Sequence, residues 1–197
     1  MSGIGCRLAK LVKFRKKLAS IFVPLPVIIN GLIKLKWNKM ENKYQIRPIG
    51  VVQATNHGFS IQLDKEYLPA LTNIEGFSHL QIVWWGNLYD SPEQRAYLTS
   101  DKPYKKGPDK IGTFATRSPV RPNPILLTNV AVQRIDYENG IIYTSYIDAE
   151  QGTPVLDIKP YHLSERIKDC KVPQWCQHWP KWYEDSATFK WQNEFNF

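Results

Sequence analysis

The stretch Gly112–Leu127, GTFATRSPVRPNPILL, holds the residues of this chain best suited to grip an anion: Arg117, Arg121 and Asn123. A guanidinium offers a flat fork of N–H donors that fits a carboxylate or phosphate with two parallel hydrogen bonds. Direction matters for such a grip, and Pro119, Pro122 and Pro124 set it. Each proline fixes φ and removes a backbone donor, while Ser118, Arg121 and Asn123 before them are pushed toward extended backbone. The result is a stiff, non-helical loop, as fit to be a rigid connector with solvated arginines as to be the wall of an anion site. A second dense stretch, Asp148–Tyr161 (DAEQGTPVLDIKPY), sets Asp148 and Asp157 in a loop shaped by Gly152, Pro154 and Pro160. A carboxylate across a cleft from two arginines binds a zwitterion or a cation, or simply makes a salt bridge. Composition leaves both open.

Other chemistries find no support. The chain has no Walker loop, dinucleotide-binding glycine motif, nucleophile elbow or zinc-protease signature, and its 11 glycines make a glycine-rich cofactor cradle improbable. His57, His79, His162 and His178 are scattered and lack triad partners. Cys6, Cys170 and Cys176 are odd in number and have neither disulfide-framework nor zinc spacing, so no metal is expected and a reducing, cytoplasmic compartment is.

The formal charge of +8 suggests a polyanion partner, but its distribution qualifies that. Residues 1–40 carry seven Lys, two Arg and no acid, which leaves the rest of the chain near neutral. Within that rest, Lys102, Lys105, Lys106 and Lys110, with Arg117 and Arg121, stand against Asp109 alone and make a local patch beside the proline loop. The apolar run Ile21–Ile33 is broken by Pro24, Pro26 and Asn30, too short for the roughly 20 residues of a membrane span and followed by lysines rather than a cleavage site. A basic membrane-surface anchor remains open, but no stable membrane association is expected. Residues 1–40 read as an extension outside the fold, with Met40 as the expected physiological start.

The elements that must position these residues read as strands. Tyr44–Val52 and Phe59–Leu63 flank a turn at Asn56–Gly58, and Leu68–Phe77 is a loop or helical turn. Leu80–Trp85 is expected as a buried strand, and 90–110 as a long polar excursion of the kind where binding function often sits. Ile125–Ile135 and Ile141–Ile147 pair through Asp136–Gly140, whose Asn139-Gly140 is a hairpin signal, and Val155–Ile158 adds a short strand. With no amphipathic helix between strands, the expected fold is mainly β, a small closed antiparallel barrel with few short helices over 41–170. Residues 171–197 are an aromatic-rich segment in which Pro180 would open a helix bearing Trp182, Ser186 and Phe189 on one face. It reads as a lid on the barrel or a dimer contact, with a base-stacking platform as the sharper alternative.

RPIG at Arg47–Gly50, FSHL at Phe77–Leu80, FATRSPVRPNPI at Phe114–Ile125 and GTPVLDIKPY at Gly152–Tyr161 together resemble the TsaA-like (TrmO) family. The resemblance covers roughly residues 44–165. It implies an S-adenosylmethionine-dependent methyltransferase on a small antiparallel barrel, working as a homodimer on the N6 of threonylcarbamoyladenosine beside the tRNA anticodon; the alternatives are the same fold methylating another small molecule or nucleobase, or a donor-binding module without tRNA activity. Carried over by motif, it implies cofactor contacts from Arg117, Leu127, Asn87, Leu88 and Tyr146, Ile147, Asp148 and Ala149. Substrate contacts are expected from Arg121 and Asn123, and from the patch lysines Lys105, Lys106 and Lys110; the general base is not named. The chain departs from the family pattern with Leu126 where glycine is usual, Gln151 for aspartate, Asn87 for histidine, and a short first loop at Thr55–Phe59.

Overall fold

The computed structural model describes residues 45–56 and 58–196, all within the compact unit Gln45–Phe197. The extension expected over residues 1–40, its start at Met40 and the strand start at Tyr44 lie outside the described residues. Among the described residues eight strands follow one another: β1 (Gly50–Thr55), β2 (Gly58–Leu63), β3 (His79–Trp85), β4 (Thr99–Asp101), β5 (Lys110–Gly112), β6 (Ile125–Asp136), β7 (Ile141–Thr144) and β8 (Pro154–Pro160). Six close into an antiparallel barrel in the order β1-β2-β7-β6-β3-β8, while β4 and β5 form a separate two-stranded ribbon. Among the described residues the α-helix is a single short one, α1 (Pro92–Arg95).

The barrel follows from alternation. In β3, Leu80, Ile82 and Trp84 are buried, and in β6 Leu126 and Val130; Val52, Ile61, Ile142 and Val155 join them from the other strands, with Leu63, Leu71 and Ile147 in the same core. Successive strand side chains face opposite sides, so one register places the strand residues among these inward. Burying such a side chain contributes about 1.5–3 kcal/mol, which makes this aliphatic core the main source of stability. The hairpin expected at Asn139-Gly140 forms, with Gly140 at φ 67. The positive φ calls for glycine, and a Cβ there would also lie 2.7 Å from Leu68 Cδ1 and have to displace that side-chain tip.

Several expectations are corrected. Strand β1 begins at Gly50, because the chain before it carries Pro48 and pairs through Ile49 N–H to the Val155 carbonyl (2.8 Å). Leu80–Trp85 is not sealed on both sides: Gln81 and Val83 take the half-exposed outer face. Strand β7 stops at Thr144, and the polar excursion contains the β4–β5 ribbon and α1. The helix expected from Pro180 is absent. Residues 172–196 instead form short 3-10 turns at Gln174–Cys176, Glu184–Thr188 and Trp191–Asn193.

Candidate active site at the barrel mouth

Antiparallel register decides which loops share an end of the barrel. Trp85 lies opposite Ile125, Trp84 opposite Val155, Val51 opposite Pro154, Thr55 opposite Gly58 and Phe59 opposite Thr144. The chain leaving β3, entering β6, joining β7 to β8 and turning from β1 to β2 therefore all meets at one mouth. Asn87 and Leu88, the proline loop with Leu127, and Tyr146–Ala149 are brought together there.

Hydrogen bonds tie these segments to one another. Arg117 Nη2 donates to the Leu127 carbonyl at 2.7 Å, pinning the proline loop to the first residues of β6. Gly86 N–H donates to the Pro124 carbonyl at 2.7 Å, so the Asn87–Tyr89 turn starts against the other end of that loop. Arg121 braces the loop from within, donating to the carbonyls of Thr113 (3.3 Å) and Thr116 (3.2 Å). Arg117 is exposed, and that single bond leaves most of its donors for a ligand.

The β7–β8 connection alternates. Tyr146 and Asp148 are exposed, while Ile147 is buried and Ala149 packs on the core. Ile147 and Ala149 thus anchor the segment, and only their main chain can face a ligand. Tyr146 is held by edge-on contact with Phe59 (5.2 Å between centroids), and its hydroxyl donates to Asp148 Oδ1 at 3.3 Å. Burial first, and then the charge of Asp148, push this phenol above its usual 10.0, so it stays a protonated donor to the carboxylate.

Leu126 turns inward. It is buried, and a Cβ on Gly86 would lie 3.1 Å from its Cδ1, so it fills core volume beneath Gly86 rather than narrowing the mouth. The side chains presented outward are Leu88, Phe114, Ile125, Leu127 and Tyr146, all exposed. Farther along the outer face of β6, the Asn129 Oδ1 atom is buried without a hydrogen-bond partner.

Sequence reasoning missed one constellation. Arg95, in α1, donates from Nη1 to Asp90 Oδ1 (2.9 Å) and from Nη2 to Asn123 Oδ1 (3.1 Å), with its guanidinium 5.8 Å from the centre of the Trp85 ring. Trp85 Nε1 donates to Asp90 Oδ2 at 3.0 Å. Asn123, expected to touch substrate, is thus held by Arg95. The available signal was Ser91-Pro92-Glu93-Gln94, a helix start whose capping box forms here.

The lysines sit elsewhere. Lys105, Lys106 and Lys110 are exposed on the β4–β5 ribbon, which runs through Gly112 into the proline loop. At the opposite barrel end a cavity of about 390 Å³ opens between Ile74, Phe77, Arg134 and Tyr137; it contains none of the expected site residues. Among the described residues no group of three or more His, Cys, Asp or Glu gathers to hold a metal, and no helix is long and apolar enough to cross a membrane.

The family profile of the tRNA-methyltransferase O N-terminal domain matches residues 39–165, most of the chain. The chain belongs to this family. Among relatives, a "Probable S-adenosyl-L-methionine-binding protein" of Methanocaldococcus jannaschii is 36% identical over 131 residues, covering 64% of this chain and 97% of that protein. A tRNA (adenine(37)-N6)-methyltransferase of Rattus norvegicus is 40% identical over 105 residues, covering 53% of this chain and 22% of that one. The crystal structure of TrmO from P. aeruginosa superposes with a TM-score of 0.50 at 23% identity, over 66% of this chain and 61% of that one, a likeness of fold. The chain thus spans nearly all of the archaeal relative and about a fifth of the rat enzyme. In this chain the motifs that carry the resemblance lie at the mouth: FATRSPVRPNPI forms its proline loop, and GTPVLDIKPY runs from it into β8.

Proposed function

We propose that this chain is an S-adenosylmethionine-dependent methyltransferase that acts on adenine N6 beside the tRNA anticodon, with N6-threonylcarbamoyladenosine as acceptor, and works as a cytoplasmic homodimer. The observation that carries the reading is the convergence of Arg117, Asn87–Leu88 and Tyr146–Asp148 on one mouth of a barrel of this family.

The residues present fit the donor. Arg117 offers a fork for its carboxylate, and Asp148 negative charge for its cationic end. Exposed Leu88 and Leu127 offer apolar surface for its adenine, and the unpartnered Asn129 Oδ1 is an acceptor in want of a donor. When bound, S-adenosylmethionine supplies a methyl group already activated on a sulfonium. What the chain must add is orientation and exclusion of water. The braced proline loop supplies the first, because its position is fixed at both ends by main-chain acceptors. Outward apolar side chains supply the second once covered. The patch they form also supports the homodimer, since exposed apolar surface of this kind marks interaction sites.

Mass spectrometry of tRNA nucleosides from a strain lacking the gene tests the acceptor. Loss of the methylated threonylcarbamoyl nucleoside is expected, and an unchanged level refutes it. Calorimetric titration with S-adenosylmethionine tests the donor separately. An Asp148→Asn variant that binds the donor as tightly as wild type removes the carboxylate from its role.

A further inference from the structure

The β4–β5 ribbon has little of its own to keep it in shape. Each strand has three residues, and the loop between them spans 102–109. Its order comes from the other end of the sequence. Lys105 N–H donates to the Glu194 carbonyl (2.9 Å), Asn196 N–H to the Pro103 carbonyl (3.1 Å) and Asn196 Nδ2 to the Lys102 carbonyl (2.7 Å). Lys105 Nζ adds a bond to the Gln192 carbonyl (3.3 Å). Lys102 is held at φ 39, a left-handed backbone unfavourable for a residue with a side chain, with its own N–H bonded to the Asp109 carbonyl (2.7 Å).

Tyr104 is the peg. It stacks on Trp175 (4.9 Å between centroids), meets Trp179 edge-on (5.4 Å) and touches Phe195 (5.6 Å). Behind it, buried Glu194 accepts from Trp179 Nε1 (3.1 Å) and lies 2.8 Å from His178 Nε2. Trp179 also packs edge-on against Trp191, so these rings are spent on one another and on Tyr104. They are not laid out as a free stacking platform for bases. What they leave free is charge: Lys106 and Lys110 are exposed and form no ion pair among the described residues.

We infer that the C-terminal aromatic segment is a brace that holds the lysine ribbon as a binding surface for the phosphate backbone of a folded RNA. The inference rests on the tRNA reading above and gives that reading its docking surface. Strand β5 leads straight into the proline loop, so a stem seated on the ribbon brings its loop toward the mouth. Fixing the ribbon in advance removes the ordering cost that flexible lysines would otherwise meet on binding.

The test uses the full chain, an anticodon stem-loop RNA as probe and a salt series. Tyr104→Ala is expected to weaken RNA binding about tenfold and to flatten log K against log salt by about one to two, because each phosphate contact adds about 0.7–0.9 to that slope. Lys106→Ala with Lys110→Ala should flatten it similarly. Donor affinity, measured by calorimetry, stays at the wild-type value in both. Should Tyr104→Ala fail to fold, Asn196→Ala removes only the bond to Lys102 and should weaken RNA binding a few-fold in the same direction. Wild-type RNA affinity and slope in the brace variants overturn the inference while leaving the tRNA reading intact, as does a parallel fall in donor affinity. A wild-type chain that binds donor but no RNA overturns both.

Discussion

In the barrel, backbone ladders set the positions and aliphatic side chains fill the space behind them; in residues 172–196 the rings pack on one another and the main chain follows in short turns. A mouth residue such as Leu127 is placed by register with Val83, whatever its own side chain does. A ribbon residue such as Lys105 is placed by Tyr104 beside it and by the rings that hold Tyr104. The first arrangement tolerates replacement at its working surface. The second concentrates its stability in a few contacts and is the one expected to open locally without the rest of the protein.

The comparison can be broken first at the core. Leu126→Ala should cost about 2–5 kcal/mol and lower the melting temperature on the order of 10 °C, read by thermal denaturation. If melting barely moves, Leu126 is not the interior residue described. Arg117→Ala should lower the melting temperature far less than Leu126→Ala and reduce donor affinity by roughly ten- to a hundredfold, the range for a lost charge-assisted bond of about 1.5–3 kcal/mol. Equal loss of stability would turn Arg117 into a structural clamp. Arg95→Lys keeps the charge but not the fork spanning Asp90 and Asn123. It should raise KM for the RNA acceptor, the substrate assigned to Asn123, a few-fold with kcat preserved, and a fall in kcat alone would count against this positioning role.

The smallest effect separates the two regions by pH. The Trp179 hydrogen bond, followed by the contact with His178, holds the Glu194 carboxyl below its usual 4.5. A depressed folded value means that this contribution is complete above the unfolded value and lost as pH falls through the folded one. Tryptophan emission should therefore shift red in acid below the ordinary carboxylate range, before barrel circular dichroism changes. In Glu194→Gln the step should vanish. Coincident transitions would show that barrel and brace open together.

The barrel was legible because its strands alternate and its β6–β7 turn carries Asn139-Gly140, both consequences of backbone geometry. The ribbon was not, because three residues such as Thr99–Asp101 are too few for a period to show. Pro180 misled for a different reason. Trp182 stays exposed while Trp179, Phe189 and Trp191 make the ring contacts, a spacing that no single helix face provides. At the mouth, Arg117 and the Tyr146–Asp148 pair were reached through long motifs, whereas Arg95 lies in none, and its value comes from the fold that sets α1 beside the proline loop.

The meeting of β1 with β8 closes the hydrogen-bonded ladder. A closed ladder has no unpaired strand edge to lend to another chain. Whatever meets the wall of this barrel, a second copy or a nucleic acid, must be recognised by side chains and loops rather than by an added strand. The outward-facing half of each strand can therefore be rewritten for a new partner while the inward half keeps the fold.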